Sequence, residues 1–215
     1  MIRLPPPSPG LDWHDVMACH LPPGHIARLD SVRVGIAGAG GLGSNCAMLL
    51  VRSGIRHLYL ADHDVVSLSN LNRQFFFPAQ TGQAKVAALA ENLRALNPSL
   101  DLTLLPERLD ESSAVAFFSS CDIVAEAVDD AETKQKLIHA LLEAGHVVVA
   151  ASGMAGWGKD MRRRILGRLT VVGDFASEVN ENTPPLAPGV MLAAAMQADE
   201  ILRRILDEKH EGRML

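Results

Sequence analysis

VRVGIAGAGGLGSN, residues 32–45, decides the fold. Residues 32–37 are an apolar run that reads as a buried strand. It runs straight into Gly38, Gly40 and Gly43, a G-x-G-x-x-G pattern with Gly41 inside it. The first glycine allows a tight turn, the second lets backbone approach a phosphate, and the third lets the following helix sit close to the strand. Residues 46–52 read as that helix, ended by Gly54. HLYLA at 57–61 is a second short strand, stopped by Asp62. Strand, glycine turn, helix and strand within about thirty residues make a βαβ unit. Free N–H groups at the helix start face an anion, and Asp62 is placed to accept hydrogen bonds from ribose hydroxyls.

Outward from this unit the alternation continues. Residues 81–96 carry Val86, Leu89, Leu93 and Leu96 at helical spacing, and Asn97-Pro98 closes that helix. Strands are expected at 100–105, 122–125 and 146–151, with helices at 112–118 and 131–144. The expected fold class is therefore α/β: a Rossmann-like, mostly parallel sheet with helices on both faces. After residue 151 the pattern changes. SGMAGWGKD is glycine-rich, and residues 162–172 read as one or two strands without room for a crossover helix, so antiparallel strands are expected there. A final helix is expected over 190–207. Residues 1–30 read as a leader and helix, and 31–215 as a single domain.

The chain has 215 residues, 48% of them hydrophobic, enough for one good core. Its formal net charge of -5 argues against broad nucleic-acid binding. It contains no run of eighteen apolar residues, so no membrane span is expected. MIRLPPPSPG lacks the apolar core of a signal peptide, and the three scattered cysteines suit a reducing, cytoplasmic setting. Without any C-x-x-C pair there is no four-cysteine zinc site.

DHDVVSLSNLNRQ, residues 62–74, changes the expected ligand. Asn70, Arg73 and Gln74 follow the ribose-binding acid, where a dinucleotide oxidoreductase has no such cluster. Arg73 can grip phosphate oxygens bidentately. Lys85, at the start of the next helix, can reach the same anion as a point charge. Asp129 follows the fourth strand at the carboxyl edge and suits magnesium beside a triphosphate; its alternative role is to cap the helix starting near Ala131. These residues point to a nucleoside triphosphate with Mg2+.

GAGGLGSN, the DHD acid, SNLNRQ, Lys85 and EAVDD together resemble the ThiF/MoeB/HesA family, whose fold is shared with ubiquitin-activating enzymes. The resemblance covers residues 30–150. SGMAGWG, VVGD and PPLAPGV…AAAMQAD resemble its short ThiF subgroup, assigned to thiamine biosynthesis. It implies that Gly38, Gly40, Gly41, Gly43 and Asp62 hold the nucleotide, that Asn70, Arg73, Gln74 and Lys85 surround the phosphates, and that Asp129 positions magnesium. The implied reaction is adenylation of the C-terminal glycine carboxylate of a small ubiquitin-like sulfur carrier protein, ThiS-like and ending in Gly-Gly. A homodimer is implied as well. Two departures stand out. Cys121 is the last cysteine, so the chain is expected to stop at the adenylate, with sulfur from a separate donor. The Arg-Tyr-x-Arg-Gln pattern of a partner-supplied arginine is absent, and neither Arg3 nor Arg28 replaces it. The competing readings are an NAD-dependent oxidoreductase, an adenylating enzyme acting on a tRNA nucleoside, and a non-catalytic scaffold.

Overall fold

A computed structural model describes residues 13–207; Arg3 and the proline-rich start lie outside the described residues. Two helices lead in, α1 (Trp13–Ala18) and α2 (Pro23–Ser31), followed by β1 (Arg33–Ala37), α3 (Gly41–Arg52) and β2 (His57–Ala61). Next come α4 (Lys85–Leu96), β3 (Asp101–Leu105), α5 (Glu111–Phe117), β4 (Ile123–Glu126), α6 (Ala131–Glu143) and β5 (Val147–Ala151). The chain finishes with β6 (Arg162–Leu166), β7 (Leu169–Gly173) and α7 (Ala187–Leu206).

The strands form one sheet in the order β3-β2-β1-β4-β5-β7-β6. All neighbours are parallel except β6 and β7. Period-2 alternation explains why both faces are covered. Ile36, Leu58, Leu60, Ile123, Ala125 and Val149 face one core with α3, α4 and α7. Ala37, Ala61, Val124 and Val148 face the other, filled by Phe118, Leu137 and Leu141 from the α5 and α6 side. The chain builds β1, β2 and β3 outward, then returns past β1 to β4. That reversal leaves a crevice at the carboxyl ends of β1 and β4, the place where such sheets bind ligands.

The expected antiparallel addition is present in a specific form. The hairpin turn at Gly167 (φ 63°) sends β7 back between β5 and β6. β7 thus runs parallel to β5 without a crossover helix, because β6 serves as the return leg. Three helix starts differ from the sequence expectation, the last being α7, which begins at Ala187 rather than at Val190. α3 begins at Gly41 rather than at Cys46, so the glycines form its first turn. α4 begins at Lys85 rather than at Thr81, because Gly82 has φ 88° and Ala84 bridges to Val65 as extended backbone.

The antiparallel edge is tied to α7 through Glu200, whose side chain is fully buried. Its carboxylate accepts hydrogen bonds from Arg163 of β6 (2.9 Å), Thr170 of β7 (2.9 Å), and Arg203 and Arg204 of α7 (2.8 Å each). Burial alone would raise its pKa, but the Arg203, Arg204 and Thr170 hydrogen bonds override burial and bring it down to about 2. A folded value below the ordinary 4.5 means the stabilisation is complete above that pH and drains away as pH falls toward about 2. Replacing Glu200 with Gln leaves guanidinium groups facing a neutral amide and is expected to cost about 3 kcal/mol at pH 7. Urea unfolding at stepped pH checks both points: the gap between wild type and Glu200→Gln should close as pH falls from about 4.5 to about 2.

Candidate functional site

The glycine turn after β1 has two steric demands. Gly38 has φ 101°, which an L side chain rarely adopts, and its N–H donates to Ala61 O (2.8 Å), fixing the turn to the end of β2. A Cβ on Gly43 would lie 1.8 Å from Gly38 O, so the first turn of α3 can rest on the strand end only without one. Asp62 then closes the arrangement. Its carboxylate accepts from the Ala39 N–H (2.6 Å) and the Asp64 N–H (2.8 Å), which holds the half-buried acid at the crevice.

The N-terminus of α3 has no side-chain cap. Helical geometry gives the N–H groups of its first turn no carbonyl ahead of them. At Gly40 the space is open: the one atom within 4 Å of a Cβ there would be Gln74 Nε2, at 3.9 Å. Gln74 is itself buried, and its Oε1 has no hydrogen-bond partner. The uncapped helix start and the Gln74 amide nitrogen therefore meet at one opening.

Two residues that sequence reasoning passed over build this opening. Ser44 Oγ donates to Gly40 O (2.6 Å) and accepts from the Phe75 N–H (3.0 Å). Asn45 Nδ2 donates to Gly41 O (2.7 Å) and Arg73 O (2.8 Å). They lock the 70–75 segment onto α3, so Arg73 Cγ comes to 3.6 Å from where a Gly41 Cβ would be. The half-buried Arg73 guanidinium donates to Ser69 O (3.2 Å) and Asn72 Oδ1 (2.8 Å). Asn70 Oδ1 accepts from Ser67 Oγ (2.9 Å), which steadies the same 3₁₀ turn.

On the other side, the β4–α6 turn packs on Gly38, whose Cβ would meet Ala127 O at 2.8 Å. Glu126 shapes this turn: fully buried, it accepts from the Val128 N–H (2.8 Å) and pairs with Lys134. Burial pushes its carboxyl pKa up, against the pull of Lys134. The alternative capping role of Asp129 falls to its neighbour. Asp130 caps α6 by accepting from the Thr133 N–H (2.7 Å), and Asp129 is left exposed at the turn. The Asp130 hydrogen bonds to Thr133 lower its pKa.

Lys85 is drawn back from the position expected of a free point charge. It is buried, and its ammonium donates to Asp64 Oδ2 at 2.7 Å. That hydrogen bond holds Asp64 below its ordinary pKa, with the Lys85, His63 and Arg108 charges adding to the effect against some desolvation. The sequence reading had no histidine here, yet His63 Nε2 lies 3.4 Å from Asp64 Oδ1. The i, i+2 spacing of the two acids in DHD was the available signal.

The 153–160 loop is more than a surface connection. Met154, Trp157 and Met161 line a mainly apolar cavity of about 230 Å³ against Leu186 and Leu192. The first turn of α7 reaches from this cavity to the glycine loop, because Val190 Cγ1 would stand 2.9 Å from a Gly41 Cβ. No described helix is long and apolar enough to cross a membrane.

The thiols are set apart from the crevice. Cys46 and Cys121 are buried, and burial pushes both up to about 12. Cys19 is exposed, but it follows α1, whose Met17 packs against Gly54 at the far end of α3. Twelve helical residues, about 18 Å, separate that end from the glycine turn.

This geometry meets its match in known proteins. The model of the ThiF family matches residues 17–215. The chain belongs to the ThiF family. Bovine MOCS3, an adenylyltransferase and sulfurtransferase, is 36% identical over 207 residues, 87% of this chain and 44% of its own. The Candida glabrata adenylyltransferase and sulfurtransferase UBA4 is 34% identical over 61% of this chain and 31% of its own. This ThiF-family chain thus spans less than half the length of these curated relatives. Among solved structures, the E. coli tRNA N6-threonylcarbamoyladenosine dehydratase with AMP has a TM-score of 0.83 at 18% identity, over 92% of this chain and 95% of that one. E. coli MccB with AMPCPP and MccA has a TM-score of 0.67 at 19% identity, over 84% and 58%. At these identities the structures establish the fold, and with it the α/β reading.

Two alanine substitutions separate packing from binding. Gly43→Ala is expected to lose about 3 kcal/mol or fail to fold, since its methyl meets backbone. Gly40→Ala is expected to keep its stability to within about 1 kcal/mol and weaken ATP about tenfold or more by crowding the N–H donors. Thermal melts and titration calorimetry read the two effects.

Proposed function

We propose that this chain transfers AMP from ATP to a carboxylate, the C-terminal glycine of a small ubiquitin-like sulfur carrier protein ending in Gly-Gly. The observation that carries the reading is the open, uncapped start of α3 at Gly40, with Gln74 and Arg73 brought to it by Ser44 and Asn45. In this reading Gly38, Gly40, Gly41, Gly43 and Asp62 hold the nucleotide. Asn70, Arg73, Gln74 and Lys85 surround the phosphates. The names of the MOCS3 and UBA4 relatives, which join adenylyl transfer to sulfur transfer, support a carrier as the acceptor. We place it with ThiS-like carriers of thiamine biosynthesis on the short-ThiF resemblance, acting as a homodimer in the cytoplasm.

The chemistry asks little of side chains as acids or bases. A C-terminal carboxylate, with a reference pKa of about 3.5, is already ionised at neutral pH. The difficulty is repulsion between an anionic nucleophile and a polyanion. Arg73 and Lys85 lower it at the phosphates, and the uncapped α3 terminus adds the positive end of a helix dipole. Asp129 fits magnesium because its carboxylate is a hard oxygen donor not used as the α6 cap. When bound there, magnesium would screen phosphate charge. Holding two bound reactants in line supplies much of the remainder. The apolar cavity under Trp157 gives the carrier tail a wall to lie on beside the glycine loop. With Cys46 and Cys121 buried and protonated at neutral pH, the chain hands on the adenylate and forms no thioester itself, so a separate donor provides sulfur.

A second reading has one observation in its favour. The dehydratase named for a tRNA nucleoside is matched over nearly the whole of its own length, 95%, against 44% for bovine MOCS3. An adenylating enzyme for tRNA is therefore the competitor to test, whereas an NAD enzyme gives Arg73 and Lys85 no role. ATP–pyrophosphate exchange decides between acceptors. A Gly-Gly carrier is expected to stimulate exchange and to gain the mass of AMP, with tRNA and NAD inert. Stimulation by tRNA alone would replace this proposal with the second reading. Arg73→Ala is expected to lose nearly all exchange while melting within about 0.5 kcal/mol of wild type; full exchange in that variant would sink the assignment.

A further inference from the structure

Lys85 occupies a place that is costly for a cation. It is the first residue of α4, where the helix dipole is positive, and its side chain is only 7% exposed. Two contacts hold it there, and both go to Asp64. The Lys85 N–H donates to Asp64 O (2.9 Å), and its ammonium donates to Asp64 Oδ2 (2.7 Å). The surrounding backbone closes the same clamp: Val66 N–H donates to Gln83 O, Gly82 N–H to Val66 O, and Val65 bridges to Ala84. Asp64, in contrast, is half open to solvent and is joined through its own N–H to Asp62 Oδ1. The acid that faces the ribose position and the acid that holds the lysine are thus one rigid unit.

We propose that Asp64 is a positioning residue for nucleotide phosphate, acting through Lys85. The inference rests on the ATP reading above. A free lysine carries side-chain freedom that a ligand would have to restrict. Asp64 removes that freedom before the ligand arrives and supplies the counter-charge that keeps the ammonium at a buried helix start. The groups facing the pair are Asp62, His63 and Arg108, and none of them replaces this hydrogen bond.

A double-mutant cycle tests it, read by titration calorimetry with ATP and with adenosine. Asp64→Asn, which keeps size and a hydrogen-bonding side chain, is expected to weaken ATP about tenfold and leave adenosine unchanged. In a Lys85→Met background the same change is expected to cost ATP nothing further, because the residue acts through the lysine. Asp64→Glu keeps the charge, moves it by one methylene, and should fall between wild type and Asp64→Asn. It also serves if Asp64→Asn fails to fold. Equal losses for ATP and adenosine would show a structural role and overturn the proposal. So would unchanged or tighter ATP binding in Asp64→Asn, which would make Asp64 a competitor of the phosphates. Wild-type protein that binds no ATP overturns the nucleotide reading and this inference together. Wild-type binding without an Asp64 effect overturns this inference alone.

Discussion

The close approach of α3 to the end of β1 is the constraint on which the site depends. With Gly38 O only 1.8 Å from where a Gly43 Cβ would stand, helix and strand share space that any side chain would deny them. That contact sets the height of the α3 terminus above the sheet. The neighbours then fall into place by hydrogen bonds to the same few atoms: Asp62 to the Ala39 N–H, Ser44 to Gly40 O, and Asn45 to Gly41 O. The 127 carbonyl packs against Gly38 from the β4 side. A turn of six residues therefore gathers segments separated by up to ninety positions in the chain.

Buried charge does the work of orientation elsewhere. Glu126 and Glu200 are both fully buried, yet their titrations move in opposite directions. The difference is the number of donors. Glu200 receives Arg163, Arg203, Arg204 and Thr170, enough to outweigh desolvation. Glu126 receives Lys134 and one N–H, which is not enough. Each acid ties the end of a strand to a helix. Gln197 of α7 adds a further staple by donating to Glu126 O (2.9 Å) and Val149 O (3.0 Å), joining the carboxyl ends of β4 and β5. α7 thus braces the ligand edge at Gln197 and the antiparallel edge at Glu200.

The sheet was legible because its signals are local. Short apolar runs mark β2, β4 and β5, and the glycine spacing marks the β1 turn. Helix starts were not, because they are decided at a distance. Residues 41–45 have poor helix propensity, and what makes them helical is the closeness allowed by Gly43 and the bonds of Ser44 and Asn45 to the 73–75 backbone. Residues 82–84 sit inside an apparent helical period but are held out of the helix, Gly82 by its positive φ and Ala84 by its bridge to Val65. Asp129 and Asp130 were ambiguous by composition. Geometry resolves them, since an N-cap bonds the N–H three residues on, and Thr133 is that partner for Asp130 alone. Asp64 was hidden for a different reason: its partner lies 21 residues away, across an irregular loop that no period describes.

The arrangement of charge around the crevice also bears on the step it is suited to. A hydride-transfer site needs a flat apolar slot and few cations. Here the carboxyl edge presents a helix terminus, Arg73 and a held lysine. The acids nearest to it are each restrained: Asp62 by two backbone N–H groups, Asp64 by Lys85, and Asp130 by its cap. Restraining the acids fixes where their charge sits relative to the cations that a polyphosphate would meet. Asp129 is the exception, exposed and outside the cap, and it stands on the turn that packs against Gly38. A single uncommitted carboxylate beside a donor-rich anion cradle suits a divalent cation that arrives with a phosphate ligand, because neither the acid nor the phosphate alone fills an octahedral shell. In the proposed reading the crevice is thus balanced for a ligand that would bring its own charge and its own metal.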